Sequence, residues 1–417
     1  MQRRSFLQGA AVAGAPAFAQ NRSGKTIGVA SIGVGLRGTY LMQQAQAVPG
    51  VEIRVICDLY EGNRVRAKGL SKNPNVRIER DWKKAIEAPD VDAVIIATPD
   101  FWHAPITIHA AQAKKDIYVE KGWCIRLSEA KDMRRAVKEN KVVMQLGHHY
   151  NSLPSYNKAR EIYQSGKLGA LPLVRIYYDH GLAYSTWKFY AGDVNNTVMP
   201  KDAGPATIDW ERFIANAPRR SFDAERFFTW RCYWDYGTGL AGDVMSHQWD
   251  GVNMIVGMGI PEVVSTHGAA YSWPENRDVP DQWHVLFDYP KRKLAIAFGG
   301  AVHNGHAGRY LQLIGRDAAL EVSDNTCHLY EASWKPGYAA KRAKAPGGVV
   351  PPEYSFKPGE LTVSSHMENF FDCIRTRELP RCHVDRAFEE AATIVMSVEA
   401  YRKQRPVRWD PKTEEII

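Results

Sequence analysis

The chain of 417 residues is too long for one compact core, and at about 100–200 residues per domain it implies two or three folded units. With 45% hydrophobic and 24% charged residues it has the composition of a globular protein, which argues against a disordered or fibrous one. The formal charge of +8 comes from scattered basic residues, which argues against nucleic-acid binding, and beyond the amino terminus no apolar run approaches the ~20 residues needed to cross a bilayer.

Arg3-Arg4, the weakly apolar stretch after Leu7 and the small-x-small ending Ala17-Phe18-Ala19 read as a twin-arginine export signal over residues 1–19. An amphipathic first helix fits poorly, because the segment has no acidic residue and is interrupted by Gly14 and Pro16. This route carries folded proteins, so the expectation is a periplasmic protein that acquires its cofactor before export. The six cysteines form no Cys-x-x-Cys pair, which indicates neither a zinc site nor a disulfide framework, and buried free thiols are expected.

A strand from Thr26 to Ser31 leads into Gly33-Val34-Gly35-Leu36-Arg37-Gly38, and Thr39 to Val48 reads as a helix. In that order Gly33 permits a tight turn, Gly35 lets a pyrophosphate approach the backbone, and Gly38 allows close helix packing; the helix amino terminus then holds the anion. A second strand, Val51 to Cys57, ends in Asp58, whose carboxylate can bond both ribose hydroxyls and favours NAD over NADP, although Arg37 and Arg64 keep NADP open. Strand Val91–Ala97, helix His103–Lys114, strand Ile117–Val119 and a helix capped by Ser128 and running to Asn140 continue the alternation. Ligands in such sheets lie beyond the strand carboxyl ends, which brings Thr98, Pro99, His103, Glu120 and Lys121 to one crevice.

These residues resemble the glucose-fructose oxidoreductase, inositol dehydrogenase and rhizopine catabolism (Gfo/Idh/MocA) family. The glycine turn, Thr98-Pro99-x-x-x-His103 and Glu120-Lys121 match its motifs, with Gly122 where the family has proline. Gly239-x-x-x-Asp243-x-x-x-His247-x-x-Asp250 matches a later one. The resemblance implies a Rossmann domain over 25–147 and a substrate-binding and oligomerisation domain over 148–417, built on an open, mostly antiparallel sheet. It also implies a homodimer or homotetramer. The catalytic group it implies is Lys121, Asp243 and His247, with His247 transferring the proton and Asp243, on the same helix face, orienting substrate and supporting the histidine. Lys121 polarises the developing alkoxide and can share the acid–base role.

In the second half, Leu173–Asp179, Glu262–Ala269, Trp283–Tyr289, Lys293–Phe298 and Tyr310–Gly315 read as strands separated by turns, before a last helix, Arg386–Arg402. Aromatic residues concentrate between Tyr184 and Tyr236. Most read as packing, and Trp230 and Arg231 are the candidate sugar contacts. His148-His149 and His303-x-x-His306 lack recurring ligand spacing, so no metal is expected. The resulting expectation is hydride transfer from a sugar or cyclitol hydroxyl to a tightly held nicotinamide cofactor. An NAD-dependent glycoside hydrolase using transient oxidation is the alternative, and a binding protein with a silent nucleotide site is a third possibility.

Overall fold

The computed structural model describes residues 26–181, 187, 198–273, 276–306 and 308–417. The proposed export signal lies outside the described residues, as do Tyr184, Phe189 and Tyr190.

The first sheet has six strands, β1 (Ile27–Ile32), β2 (Val51–Cys57), β3 (Arg77–Glu79), β4 (Ala93–Ile96), β5 (Asp116–Val119) and β6 (Met144–Leu146), in the order β3-β2-β1-β4-β5-β6. Every pairing in it is parallel. β1, β4 and β5 are buried throughout, as apolar strands covered on both faces must be. The covering helices are α1 (Leu36–Ala45), α2 (Glu61–Leu70), α3 (Trp82–Glu87), α4 (His103–Gln112) and α5 (Leu127–Asn140). The strand order reverses between β1 and β4, which opens a crevice beyond their carboxyl ends. Ser128, expected as the cap of α5, lies inside its first turn. Arg126 holds the cap position, because Glu129 reaches back to accept from the amides of Ile125 and Arg126, each at 3.1 Å.

After α6 (Pro154–Gln164) the chain enters the second sheet with β7 (Leu173–Gly181). It does not then return by turns alone. α7 (Trp210–Phe213), α8 (Ala224–Phe228), a π-helical turn at Ala241–Met245 and α9 (Ser246–Val256) intervene before β8 (Val263–Ala269). β9 (Gln282–Tyr289), β10 (Leu294–His303), β11 (Arg309–Ile314), β12 (Ala318–Val322) and β13 (Cys327–Glu331) follow. Short helix α10 (Tyr338–Lys344) and β14 (Tyr354–Ser355) precede α11 (His366–Thr376) and α12 (Val384–Lys403); β15 (Val407–Asp410) and β16 (Glu415–Ile416) close the edge. The sheet is antiparallel except where β7 runs parallel to β10. The chain therefore combines a Rossmann sheet with an open, mostly antiparallel one.

Two late helices tie the sheets together. α11 returns to the first sheet, where Phe370 and Phe371 join the core of Val29, Leu41 and Ile95. α12 is buried nearly all round, as expected of a helix with apolar residues on every face, and it packs against α5, β6 and β8. One charged side chain, Glu390, sits in its middle with no exposure.

Candidate active site

The nucleotide cradle is built locally. Gly33 adopts φ +79°, and a Cβ there would lie 2.7 Å from the Ala97 carbonyl; a Cβ on Gly38 would lie 1.7 Å from the Gly33 carbonyl, so α1 packs directly on the turn. Gly35 caps α1 without a side-chain hydrogen bond and faces open space, leaving the helix amino terminus free for an anion. Asp58 is a brace as well as a ligand candidate. Its carboxylate accepts from the amides of Val34 (2.8 Å) and Tyr60 (2.9 Å) and from Asn63 (3.2 Å), leaving about one of four acceptor positions open. Burial pushes its pKa up against those three bonds.

Gly33, Gly35, Leu36, Arg37 and Asp58 line a cavity of about 790 Å³ together with Thr98, Pro99, Trp230, Arg231 and Asp243. Trp82, Trp102, Ile106 and Ile108 extend it as an apolar recess. An open glycine edge, an uncapped helix start, a carboxylate and an apolar recess suit a dinucleotide. The two arginines that kept NADP open are both engaged: Arg37 bonds Glu120 at 2.8 Å and Arg64 bonds the Asp58 carbonyl at 2.7 Å.

Four expected ligands, Gly38, His103, Glu120 and Lys121, do not line this cavity, nor does His247. His103 is buried, its ring between the carbonyls of Thr98 (2.9 Å) and Gly122 (3.0 Å), so it braces the turn before Lys121 and does not meet the cavity. Glu120, also buried, faces Arg37. Gly38 serves packing alone.

Lys121 and Asp243 meet. The ammonium donates to the Asp243 carboxylate at 2.6 Å and to its main-chain carbonyl at 2.7 Å. Arg231 donates to the same carboxylate at 3.1 Å and Trp187 at 2.6 Å, while Trp230 stacks 4.2 Å from the Arg231 guanidinium. Burial opposes ionisation of Asp243, but Lys121 and Arg231 outweigh it and hold the carboxyl below its usual range.

This arrangement corrects one expectation, because Asp243 bonds Lys121, Arg231 and Trp187, and among the described residues no hydrogen bond joins it to His247. Asp243 lies in the π-helical turn and His247 in α9, so the regular four-residue spacing that would stack them is broken. His247 Nδ1 instead lies 3.3 Å from His148 Nδ1, and the ring stacks on Tyr150 and meets His149 edge-on. Burial, then Lys121, His149 and His148, lower the His247 pKa well below its ordinary value, which keeps the ring neutral.

Gly122 has a physical reason. Its φ of +70° is closed to proline, and a Cβ would sit 2.7 Å from the Asp100 carboxylate. Asp100 is buried against Gly122 and Gly237 and accepts from the amide (3.2 Å) and hydroxyl (3.1 Å) of Thr238; burial raises its carboxyl to about 7 although Lys121 and Arg231 oppose it. Trp187, Asp100, His148 and Glu390 were not among the expected site residues. The pairing of Asp100 with Gly122 was signalled by the missing proline; Glu390 gave no signal beyond a charge inside an apolar helix. Trp210, Phe213, Tyr233 and Tyr236 are core, as expected of most aromatics in this stretch. Phe227 and Phe228 join Trp230 on the cavity wall. Among the described residues no group of three or more metal-binding side chains converges, and all six cysteines are free and buried.

Residues 27–148 match the family model for an oxidoreductase family, NAD-binding Rossmann fold, and residues 155–280 match that for the C-terminal alpha/beta domain of the same family. Over 142 residues the chain is 32% identical to scyllo-inositol 2-dehydrogenase (NAD(+)) of Bacillus subtilis, covering 34% of this chain and 41% of that one. Over 220 residues it is 28% identical to a glycosyl hydrolase family 109 protein of Stenotrophomonas maltophilia, covering 49% and 47%. The match thus spans less than half the length of either relative. A levoglucosan dehydrogenase in complex with NADH and levoglucosan has the same fold, with a TM-score of 0.68 and 19% identity over 92% of this chain and 99% of that one. The amino-terminal unit is therefore an NAD-binding Rossmann domain, and because the two models together match more than half of the sequence, the chain belongs to the Gfo/Idh/MocA family of oxidoreductases.

Proposed function

We propose that this chain is an exported NAD-dependent oxidoreductase that oxidises a CH–OH group of a sugar or cyclitol and keeps its nucleotide bound between turnovers. The observation that carries the reading is the Lys121–Asp243–Arg231 cluster, which puts fixed charge on the cavity lining through Asp243 and Arg231 and holds Lys121 just behind it. Bound nicotinamide supplies the hydride acceptor. Lys121 polarises the substrate oxygen as it becomes an alkoxide, and neutral His247 takes its proton. Asp243 holds the ammonium in place, and Arg231 with Trp230 offers a stacking and hydrogen-bonding surface to a polyol. The engagement of Arg37 and Arg64 supports NAD over NADP.

Retention of the nucleotide is supported by the segment 198–236, which lines the cavity from Arg212 to Arg231 and is bonded to the first domain at Tyr60 and Glu61. Ile208 forms a bridge to Tyr60, Glu61 bonds Thr207 at 2.9 Å, and the Tyr60 hydroxyl donates to Asp202 at 2.7 Å. A periplasmic location, supported by Arg3-Arg4 and Ala17-Phe18-Ala19, would demand such retention, because that compartment holds no free nicotinamide pool. The exposed face of the second sheet, with Tyr177 stacked on Tyr310 and Leu286 48% exposed, supports a homodimer or homotetramer.

The test is Lys121→Ala and His247→Ala, assayed for nucleotide reduction across a sugar panel; intact nucleotide binding with collapsed turnover is expected, and unchanged turnover in both overturns the assignment. A second reading, NAD-dependent glycoside cleavage, is favoured by the likeness to a family 109 glycosyl hydrolase and by two separate acid–base groups, Lys121–Asp243 and His247. Splitting of nitrophenyl glycosides without net NADH formation would select it.

A further inference from the structure

His247 does not stand alone. Behind it His148 occupies the turn after β6, with no exposure, and its Nε2 lies 2.9 Å from Glu390 Oε1 on α12. Glu390 is likewise fully buried, and among the described residues neither of its oxygens meets a well-directed hydrogen-bond donor, the His148 ring being the close group at 2.9 Å. A carboxylate in the middle of an apolar helix is costly unless it holds a charge or a donor. Here the imidazole of His148 is the group presented to it. The three side chains form a row: Glu390 Oε1, His148 Nε2 across to Nδ1, then His247 Nδ1 at 3.3 Å. His247 is left with Nε2 at the far side of a ring that Tyr150 and His149 hold in orientation.

We infer that His148 and Glu390 are positioning residues that set the tautomer of His247 and take up the proton it removes, an inference that rests on the proposed oxidation. With the Glu390 carboxyl oxygen 2.9 Å away as acceptor, His148 holds its proton on Nε2, and its Nδ1 lone pair accepts from His247 Nδ1–H. His247 Nε2 is then the unprotonated, basic nitrogen. If the carbinol carbon of the substrate gave its hydride to bound nicotinamide, the hydroxyl proton would pass to His247 Nε2, and the His247 Nδ1 proton to His148 Nδ1. His148 becomes an imidazolium paired with Glu390, and no further electrons move. The positive charge then rests on His148 beside Glu390 and off His247, where Lys121 and His149 oppose it.

The charged surroundings agree. Burial disfavours charging His148, but Glu390 and Asp250 outweigh it and raise its pKa, with Lys121 opposing. His247 faces Lys121, His149, His148 and Arg37, all of which lower its pKa. From α12, Arg386 is engaged with Asp250 at 2.8 Å; from α11, His366 bonds the Leu146 carbonyl at 2.8 Å. Neither competes for the row.

The test uses the full chain with its nucleotide. 15N-histidine spectra, assigned with His148→Gln and His247→Gln, report tautomer and titration without any need for turnover. In Glu390→Gln the pKa of His148 should fall by about one unit or more. The Nδ1–H tautomer of His247 should also lose its preference. Nucleotide affinity should stay unchanged, which confirms folding. With a reducing sugar, turnover should drop on the order of 10²-fold and the low-pH limb of the rate should move to lower pH. His148→Gln, which cannot become a cation, should lose turnover similarly. A Glu390→Gln variant whose histidine spectra and pH limb match the wild type overturns the inference. If no sugar reduces the nucleotide in the wild type, the oxidation reading fails, and the spectra still decide whether Glu390 governs the two histidines.

Discussion

Two neighbouring polar clusters differ in kind: Asp243 and Arg231 line the cavity, whereas His148 and Glu390 are fully buried behind His247. Around Asp243, one lysine, one arginine and an indole N–H converge on a single carboxylate, so its charge is fixed well below neutral pH. Around His247, a neutral imidazole touches a second imidazole backed by a carboxylate, with the His148 pKa raised and the His247 pKa lowered. Fixed charge suits the stabilisation of an alkoxide; a titratable row suits proton removal. The contrast teaches that a shared sequence motif, Asp243-x-x-x-His247, need not be one functional unit: the π-helical turn sends its two side chains to different partners.

The largest expected effect breaks either cluster at its centre. Lys121→Ala and His247→Ala should each lower the rate of nucleotide reduction by about 10²- to 10⁴-fold, while nucleotide affinity measured by fluorescence changes little. Only the His247 variant should also flatten the low-pH limb.

A second effect separates titratable from fixed groups through stability. Burial lowers the pKa of His103 to about 4 and that of His149 to about 4. The unfolded chain, whose imidazoles titrate near 6.5, therefore binds protons more readily. Stability is complete above about pH 6.5 and is lost as pH falls toward 4, by about 3 kcal/mol for His103. Denaturant titrations across that window should show the loss, and His103→Gln should make it shallower. Asp243, whose pKa is also lowered, contributes with the same sign in a more acidic window, its stability holding above the unfolded carboxyl value near 4 and failing only below it.

Gly122→Ala tests the seat of Lys121. A Cβ at φ +70° facing the Asp100 carboxylate should cost about 1–3 kcal/mol, read as a lower denaturation midpoint. The smallest effect concerns the segment bonded to the first domain at Tyr60: Tyr60→Phe removes one bond to Asp202, worth about 1 kcal/mol, and should speed nucleotide release about fivefold in stopped-flow chase experiments.

Local features were legible in the sequence, and non-local ones were not. The glycine turn, β2 and the carboxylate at its end follow from short-range backbone demands, and β2 runs from Val51 to Cys57 as expected. The meeting of Lys121 with Asp243 came through resemblance. His103 was read as a ligand because it lies beside the crevice in sequence, whereas two carbonyls capture its ring. The Ser128 cap failed because Glu129 offers a charged acceptor to two amides. Glu390 lies 242 positions after His148, and only the packing of α12 across both sheets brings them together. No spacing rule encodes that contact.

The most direct measurement incubates the purified full chain with sugars and cyclitols deuterated at each carbinol carbon, releases the nucleotide by denaturation and weighs it by mass spectrometry. The account predicts NAD carrying one deuterium from at least one of them, and loss of that label in the Lys121→Ala variant. Protein that yields no nucleotide, or nucleotide that never acquires label from any donor, would contradict it.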